Sequence, residues 1–224
     1  MLRKVDMMRR CGVAKVILVF DGQRLPLKAS THEKRQSLKE ENRKRALASM
    51  AASKRLQGVD RQVELKQAYQ HFQRSVSVTS EVISNVMNAL RAAKVPFVVA
   101  PFEADAQMVW MCKEGMATGI VTEDSDVVVY CLTANIPSPV LVKLDDNGSA
   151  QAVSRSIIHK NSKASSNALL KKMNFLTSGE KEATRMLVQV CVLAGCDFID
   201  SLPNMGFAVS TQPITRTPCH ASVV

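Results

Sequence analysis

No stretch of this 224-residue chain stays apolar over the roughly 20 residues that a membrane-spanning helix needs, so the sequence predicts a soluble protein with no membrane partner. Zinc chemistry is excluded as well. The cysteines Cys11, Cys112, Cys131, Cys191, Cys196 and Cys219 form no CxxC pair, and none has a histidine at ligand spacing, so they read as buried thiols of a reducing compartment. A secretory leader is not supported by the opening residues. Arg3, Lys4, Arg9 and Arg10 do precede an apolar run, but Val16–Phe20 is too short for a signal core and stops at an acid, as a buried strand does. The sequence also lacks internal repeats.

Positive charge is what the chain has in excess: 30 Lys and Arg against 20 Asp and Glu, a net +10 that favours polyanionic partners through steering and counterion release. With 46% hydrophobic residues the chain can bury one substantial core. Val13–Phe20, Val95–Ala100 and Gly119–Thr122 are short apolar runs expected to be strands, and the first ends at Asp21-Gly22. Helices are expected over Lys28–Gln57, Arg61–Val76, Ser80–Ala93, Pro101–Lys113 and Thr177–Leu193, the last stopping at Gly195. This alternation predicts a largely parallel sheet covered by helices. Val140–Leu144 and Ala150–Val153 flank the turn Asp145-Asp146-Asn147-Gly148 as a β-hairpin. Ser154–Asn167 reads as a surface loop or weak helix, and the run from Ser210 onward as a disordered tail.

The acids are distributed unusually. Asp21, the pair Glu103 and Asp105, the pair Asp124 and Asp126, and Asp197 each follow an apolar run at an expected element end. In a parallel α/β sheet the carboxyl ends of the strands share one edge, where such residues can converge. Carboxylates gathered there repel one another unless cations hold them ionised. Oxygen donors without histidine or thiolate suit Mg²⁺, with Mn²⁺ as a possible substitute, and two ions about 4 Å apart clamp the attacking and leaving oxygens of a phosphoryl displacement. Asp124 and Asp126 would share one face if their segment is extended, and Glu103 and Asp105 would do so where the chain is just entering a helix. Any single pair is more often a cap or turn; the case rests on their joint occurrence. Asp145 and Asp146 belong to the hairpin turn, and His32 and His71 lack partners at ligand or triad spacing.

The segment Lys28–Gln57 carries nine Lys or Arg against three Glu, a local balance of +6. Lys28 and Arg35 are seven residues apart, with Lys39 four further on, so one helix face offers cations to a phosphate backbone. The same helix contributes Lys34 and Arg43 as DNA-binding candidates.

Taken in order, VILVFDGQRLPLK, VAPFEADAQ, GIVTEDSDVVVY and LAGCDFIDSLPNMG resemble the motifs of the flap endonuclease family, the XPG or Rad2 group of structure-specific 5′ nucleases, over residues 1–206. The resemblance implies an α/β, PIN-like core with a mixed, largely parallel sheet, helices on both faces and a basic helical arch. It implies that Asp21, Glu103, Asp105, Asp124, Asp126 and Asp197 hold two Mg²⁺ ions. Lys28 and Arg35 match a basic pair that contacts the scissile phosphate. The expected substrate is DNA with a 5′ end, flap or nick, and the expected setting is nuclear repair or replication. In these terms residues 1–209 form the nuclease core: a partial N-terminal region 1–27, an arch 28–78, an acid-motif region 95–197 and the start of a helix-two-turn-helix at 198–209, before a tail at 210–224. Family members carry a further upstream aspartate, and they continue beyond Asn204-Met205-Gly206 into a duplex-binding half, neither of which this chain matches. An alternative expectation is therefore a catalytically weak relative that binds DNA or a repair partner. A sugar-nucleotide transferase would use Asp124 and Asp126 but leaves the other acids and the basic helix without a role.

Overall fold

The computed structural model describes residues 1–163, 165–199 and 201–216. The elements, in order, are α1 Leu2–Arg10, β1 Leu18–Phe20, a 3₁₀ turn Pro26–Lys28, α2 Ala29–Ser53, α3 Gly58–Ser75 and α4 Ser80–Ala92. They are followed by β2 Phe97–Val99, α5 Ala104–Lys113, β3 Ile120–Val121, α6 Asp126–Thr133, β4 Val140–Val142 and β5 Gln151–Val153. Helices α7 Arg155–Lys163, α8 Ala168–Leu176, α9 Lys181–Ala194 and α10 Phe207–Arg216 complete the described chain. Residues 1–24 and the described residues from 94 onward form one compact unit, and Leu25–Ala93 form another.

The first unit is mixed α/β. The expected strands are present but shorter, and they pair in two small sheets rather than one. In the first, β1 and β2 run parallel with Phe20 opposite Val99. In the second, β3 pairs parallel with β4, and β4 pairs antiparallel with β5 in the register Val140 to Val153 that the hairpin predicts. Helix α5 packs against both β1 and β3. Two apolar cores follow. One joins Val109 and Cys112 of α5 to Ile120, Val127, Cys131, Ile136 and Val140; the other joins Leu132 to Leu176, Met186, Leu187 and Val190, with Phe207 and Ile214 against it.

Three features of the fold have a packing origin. The β-branched run Val127–Val129 is helical, and α6 supplies Val127 and Cys131 to one core and Leu132 to the other. Within Ser154–Asn167 the helical alternative holds over Arg155–Lys163, and Ile158 reaches the second core. The expected tail begins inside α10, where Ser210 and Thr211 are fully buried and Ile214 packs on the second core, so tertiary burial overrides a sequence with Pro213 inside the helix. Residues 217–224 of that tail lie outside the described residues.

In the second unit α2 and α3 form a helical hairpin whose inward residues are small: Ala46 and Ser53 of α2 and Ala68 of α3 are buried. The contact also holds a polar pair. Buried Asn42 donates to the Leu38 carbonyl at 2.8 Å, and its side-chain oxygen accepts from His71 Nδ1 at 2.9 Å across the hairpin. His71 is thus half-buried against α2.

Gly22 follows β1 where two backbones nearly touch. A Cβ there would overlap the Ala100 carbonyl oxygen and lie 2.8 Å from the Pro101 carbonyl oxygen, both unable to swing aside. Gly22→Ala is therefore expected to destabilise the first unit by about 1–3 kcal/mol, the range for overpacking, measured as a lower midpoint in urea with unchanged slope.

Candidate metal centre

Parallel pairing of β1 with β2 puts their carboxyl ends side by side, and the backbone bonds continue past the strands: Ala100 N donates to Phe20 O at 2.9 Å, Gln23 N to Pro101 O at 3.0 Å and Gly22 N to Phe102 O at 2.6 Å. Asp21 thereby reaches the start of α5. Its Oδ1 accepts the backbone N–H of Ala104 at 2.9 Å, supplying a cap to a helix whose own N-cap, Glu103, makes no side-chain cap bond. Glu103 is extended (φ −95, ψ 136) and Asp105 lies in the first helical turn, the condition under which the pair can address one region. Asp21, Glu103 and Asp105 are thus assembled from two segments about eighty residues apart around one helix end, where the helix dipole favours negative charge.

The second group follows β3 and needs a correction. Asp124 and Asp126 do not share an extended strand: Asp124 lies in a turn and Asp126 is the first residue of α6. The turn is tied by side chains, with Asp124 N donating to Thr122 Oγ1 at 3.1 Å and Asp126 N to Asp124 Oδ1 at 2.9 Å. Glu123, given no role by the sequence reading, accepts from Lys143 N at 3.0 Å and fastens the turn to the end of β4, where Lys143 has φ +56. Local sequence gave no signal for this, since its partner lies twenty residues away. Asp197 sits in the Cys196–Ile199 turn after α9, closed by Cys196 N to Ile199 O at 3.0 Å and Ile199 N to Cys196 O at 3.2 Å. Asp126 also faces α9: burial first, then the Asp126 charge and then Cys196, push the Cys191 thiol up to about 11.

The donor chemistry is that of a hard divalent cation, carboxylate oxygens on half-buried or exposed side chains. The geometry is less complete. Among the described residues no three His, Cys, Asp or Glu side chains come together closely enough to hold an ion. The acids form separate groups, with Asp21 and Asp124 each accepting a backbone N–H, rather than one finished ligand shell.

In the second unit Lys28 occupies the N-cap position of α2 without a side-chain cap bond and is only 7% exposed, whereas Lys34, Arg35 and Arg43 are exposed and half-buried Lys39 donates to Ser77 Oγ at 3.0 Å. Among the described residues no helix is long and apolar enough to cross a membrane.

Because Asp124 serves the backbone as well as any ligand, its two roles are separable. Asp124→Asn keeps an acceptor for Asp126 N and is expected to cost under about 0.5 kcal/mol, while Asp124→Ala costs about 1 kcal/mol, read from thermal melts without added metal. The thiols supply a further check. Exposed Cys11 and Cys196 should alkylate readily at pH 8, whereas Cys191 and Cys131, each pushed up to about 11 by burial, should label only after unfolding or at higher pH.

Residues 94–197 match the XPG I-region. The chain is 31% identical over 216 residues to "Exonuclease 1" of Drosophila melanogaster, covering 96% of this chain and 26% of that relative. It is 32% identical over 212 residues to "Exodeoxyribonuclease 1" of Schizosaccharomyces pombe, covering 95% of this chain and 32% of the relative. The chain thus spans about a quarter to a third of the length of these two relatives. Among solved structures, the catalytic core of Rad2 in complex with DNA substrate has the same fold, with a TM-score of 0.55 and 19% identity over 95% of this chain and 52% of that one. The order of the acid motifs, their placement at strand and helix ends and these likenesses agree: residues 94–197 carry an XPG I-region, and the chain is similar to exonuclease 1 relatives over most of its own length.

Proposed function

We propose that this chain is the catalytic region of a Mg²⁺-dependent, structure-specific 5′ nuclease that hydrolyses DNA phosphodiesters. The observation that carries the reading is the bond from Ala104 N to Asp21, which unites acids from the first and second motifs at one helix end. Asp21, Glu103 and Asp105 would hold one side of the metal site and Asp124, Asp126 and Asp197 the other, with two Mg²⁺ ions or Mn²⁺ in their place. Bound there, the ions lower the pKa of water and neutralise developing phosphate charge.

The residues of the chain do the remaining work. The backbone N–H groups of Ala104 and Asp126 orient the Asp21 and Asp124 oxygens before any ion arrives. Lys28 and Arg35 stabilise charge on the scissile phosphate, and exposed Lys34 and Arg43, with Lys39 on the same helix, draw in the backbone of DNA bearing a 5′ end, flap or nick. The family resemblance supports the 5′ polarity, the threading of a single strand by the α2–α3 arch and a nuclear role in repair or replication.

The test is cleavage of 5′-labelled and 3′-labelled duplex, nicked and flap DNA with Mg²⁺, Mn²⁺ or chelator, beside the isosteric double variant Asp124→Asn, Asp126→Asn. Metal-dependent products released from the 5′ end, lost by on the order of a hundredfold or more in a variant that still folds, are expected. DNA binding without metal-dependent cutting would overturn the nuclease reading in favour of a binding relative. Replacing Lys34 and Arg43 together by Gln should weaken DNA binding for all sequences and reduce the slope of log affinity against log salt by roughly two.

A further inference from the structure

Helix α6 has its acids at one end and an unusual clamp at the other. The helix closes in a Schellman arrangement, with Ile136 N donating to Cys131 O at 2.9 Å and Asn135 N to Leu132 O at 3.4 Å. Asn135 holds the left-handed position of that motif at φ +57, where glycine is the residue with least strain. A reason for asparagine lies in α7. Arg155 donates from one guanidinium nitrogen to Asn135 Oδ1 and from the other to the Leu132 carbonyl, which also accepts Asn135 N in the last turn. Its Nε is buried and makes no hydrogen bond, so the fork is committed to these two acceptors.

The surrounding chain is shaped to admit this fork. Gly179, between α8 and α9, has φ +95, and a Cβ there would lie 2.5 Å from the Arg155 terminal nitrogen that bonds Asn135. Half-buried Arg155 thus lies between the α6 terminus and the Gly179 turn. A fixed cation at the C-terminus of α6 also complements the helix dipole, as the acids Asp124 and Asp126 do at the N-terminus. An eight-residue helix is only about 12 Å long and behaves as one rigid piece, so a constraint on its last turn is felt in its first.

We propose that Arg155 is a positioning residue, which fixes the N-terminal turn of α6, and with it Asp124 and Asp126, from the opposite end of the helix. The proposal rests on the metal-site reading for its consequence, though not for the mechanical coupling itself. Arg155 touches neither acid group, and the sequence alone shows no reason to connect it with them.

The decisive experiment compares wild type with Arg155→Ala, Arg155→Lys, Asn135→Gly and the double variant Arg155→Ala, Asn135→Gly. Val5→Ala, a buried residue of α1, serves as a control for general destabilisation. The first readout is hydrogen exchange, in metal-free protein, at the Val128 and Val129 amides, which bond to Ser125 O in the first turn of α6. Loss of a charge-assisted fork should speed this exchange by about tenfold in Arg155→Ala, with a smaller effect in Arg155→Lys, which keeps the cation but not the fork. The double variant should exchange no faster than the single arginine variant, since the fork is already gone and glycine relieves the left-handed strain.

The second readout is Mn²⁺ binding by electron paramagnetic resonance. Its midpoint should rise about tenfold in Arg155→Ala and stay near wild type in Val5→Ala even where both melt at similar temperatures. Exchange at Val128 and Val129 unchanged from wild type, or a Mn²⁺ midpoint moved no further than in Val5→Ala, would overturn the assignment. Should Arg155→Ala not fold, Arg155→Lys carries the same two comparisons. A wild-type chain that binds no Mn²⁺ defeats the metal-site reading instead, and the exchange result then decides alone whether Arg155 holds α6.

Discussion

Helix α6 belongs to two apolar cores at once, and the placement of the candidate site depends on that double membership. Val127 and Cys131 face the core shared with α5, β3 and β4, Leu132 faces the core shared with α8 and α9, and Val128 touches both. Burying side chains of this size contributes about 1.5–3 kcal/mol each, several times what an exposed hydrogen bond offers. Hydrophobic packing therefore sets the axis of α6, and Asp126 at its first position inherits an orientation that it need not establish itself. The polar bonds at the helix ends act on a smaller scale, selecting among rotations that the two cores already permit.

Carboxylates placed close together oppose folding through mutual repulsion, and the chain meets that cost locally. Asp21 receives the Ala104 N–H, Asp124 receives the Asp126 N–H and Glu123 receives the Lys143 N–H. Hydrogen bonds to ionised acceptors are about twice as strong as neutral ones, so each acid is fastened by the backbone it helps to shape. Asp21, Glu123 and Asp124 are also exposed, which leaves them solvated. A fold organised in this way can form before an ion is present. It also explains how the acids can sit as separate anchored groups without yet forming a complete ligand shell among the described residues.

How much of this was legible in the sequence depended on the range of the interaction involved. The apolar runs ending at Asp21 and Ala100 announced two strands, and their parallel pairing followed from the intervening helices. The hairpin at Asp145–Gly148 was legible because turn chemistry is local, and Asp145 does accept from both Asn147 N and Ser149 N. The identity of the acids could be read; their backbone settings were harder. Val127–Val129 carries strand propensity that two cores override, and α10 forms around Pro213 for the same reason. Glu123 and Arg155 were invisible because their partners, Lys143, Leu132 and Asn135, lie about twenty residues away with no periodic signal linking them.

The basic hairpin follows a different economy from the α/β unit. Its helices meet through Ala46, Ser53 and Ala68, which bury little apolar area, so the contact depends more than usual on close backbone approach and on the Asn42–His71 pair. Small inward residues leave the long cationic side chains of α2 nowhere to go but outward, and Arg35 and Arg43 stand exposed two turns apart. The same thin packing explains why α2 is strongly helical in composition yet only weakly amphipathic: its sequence is shaped by the charge it presents more than by a core it must fill. A helix stabilised this way has few buried apolar contacts to resist local opening, and the buried amide–imidazole bond, which ties α2 to α3 at one register, is the contact best placed to keep the hairpin aligned.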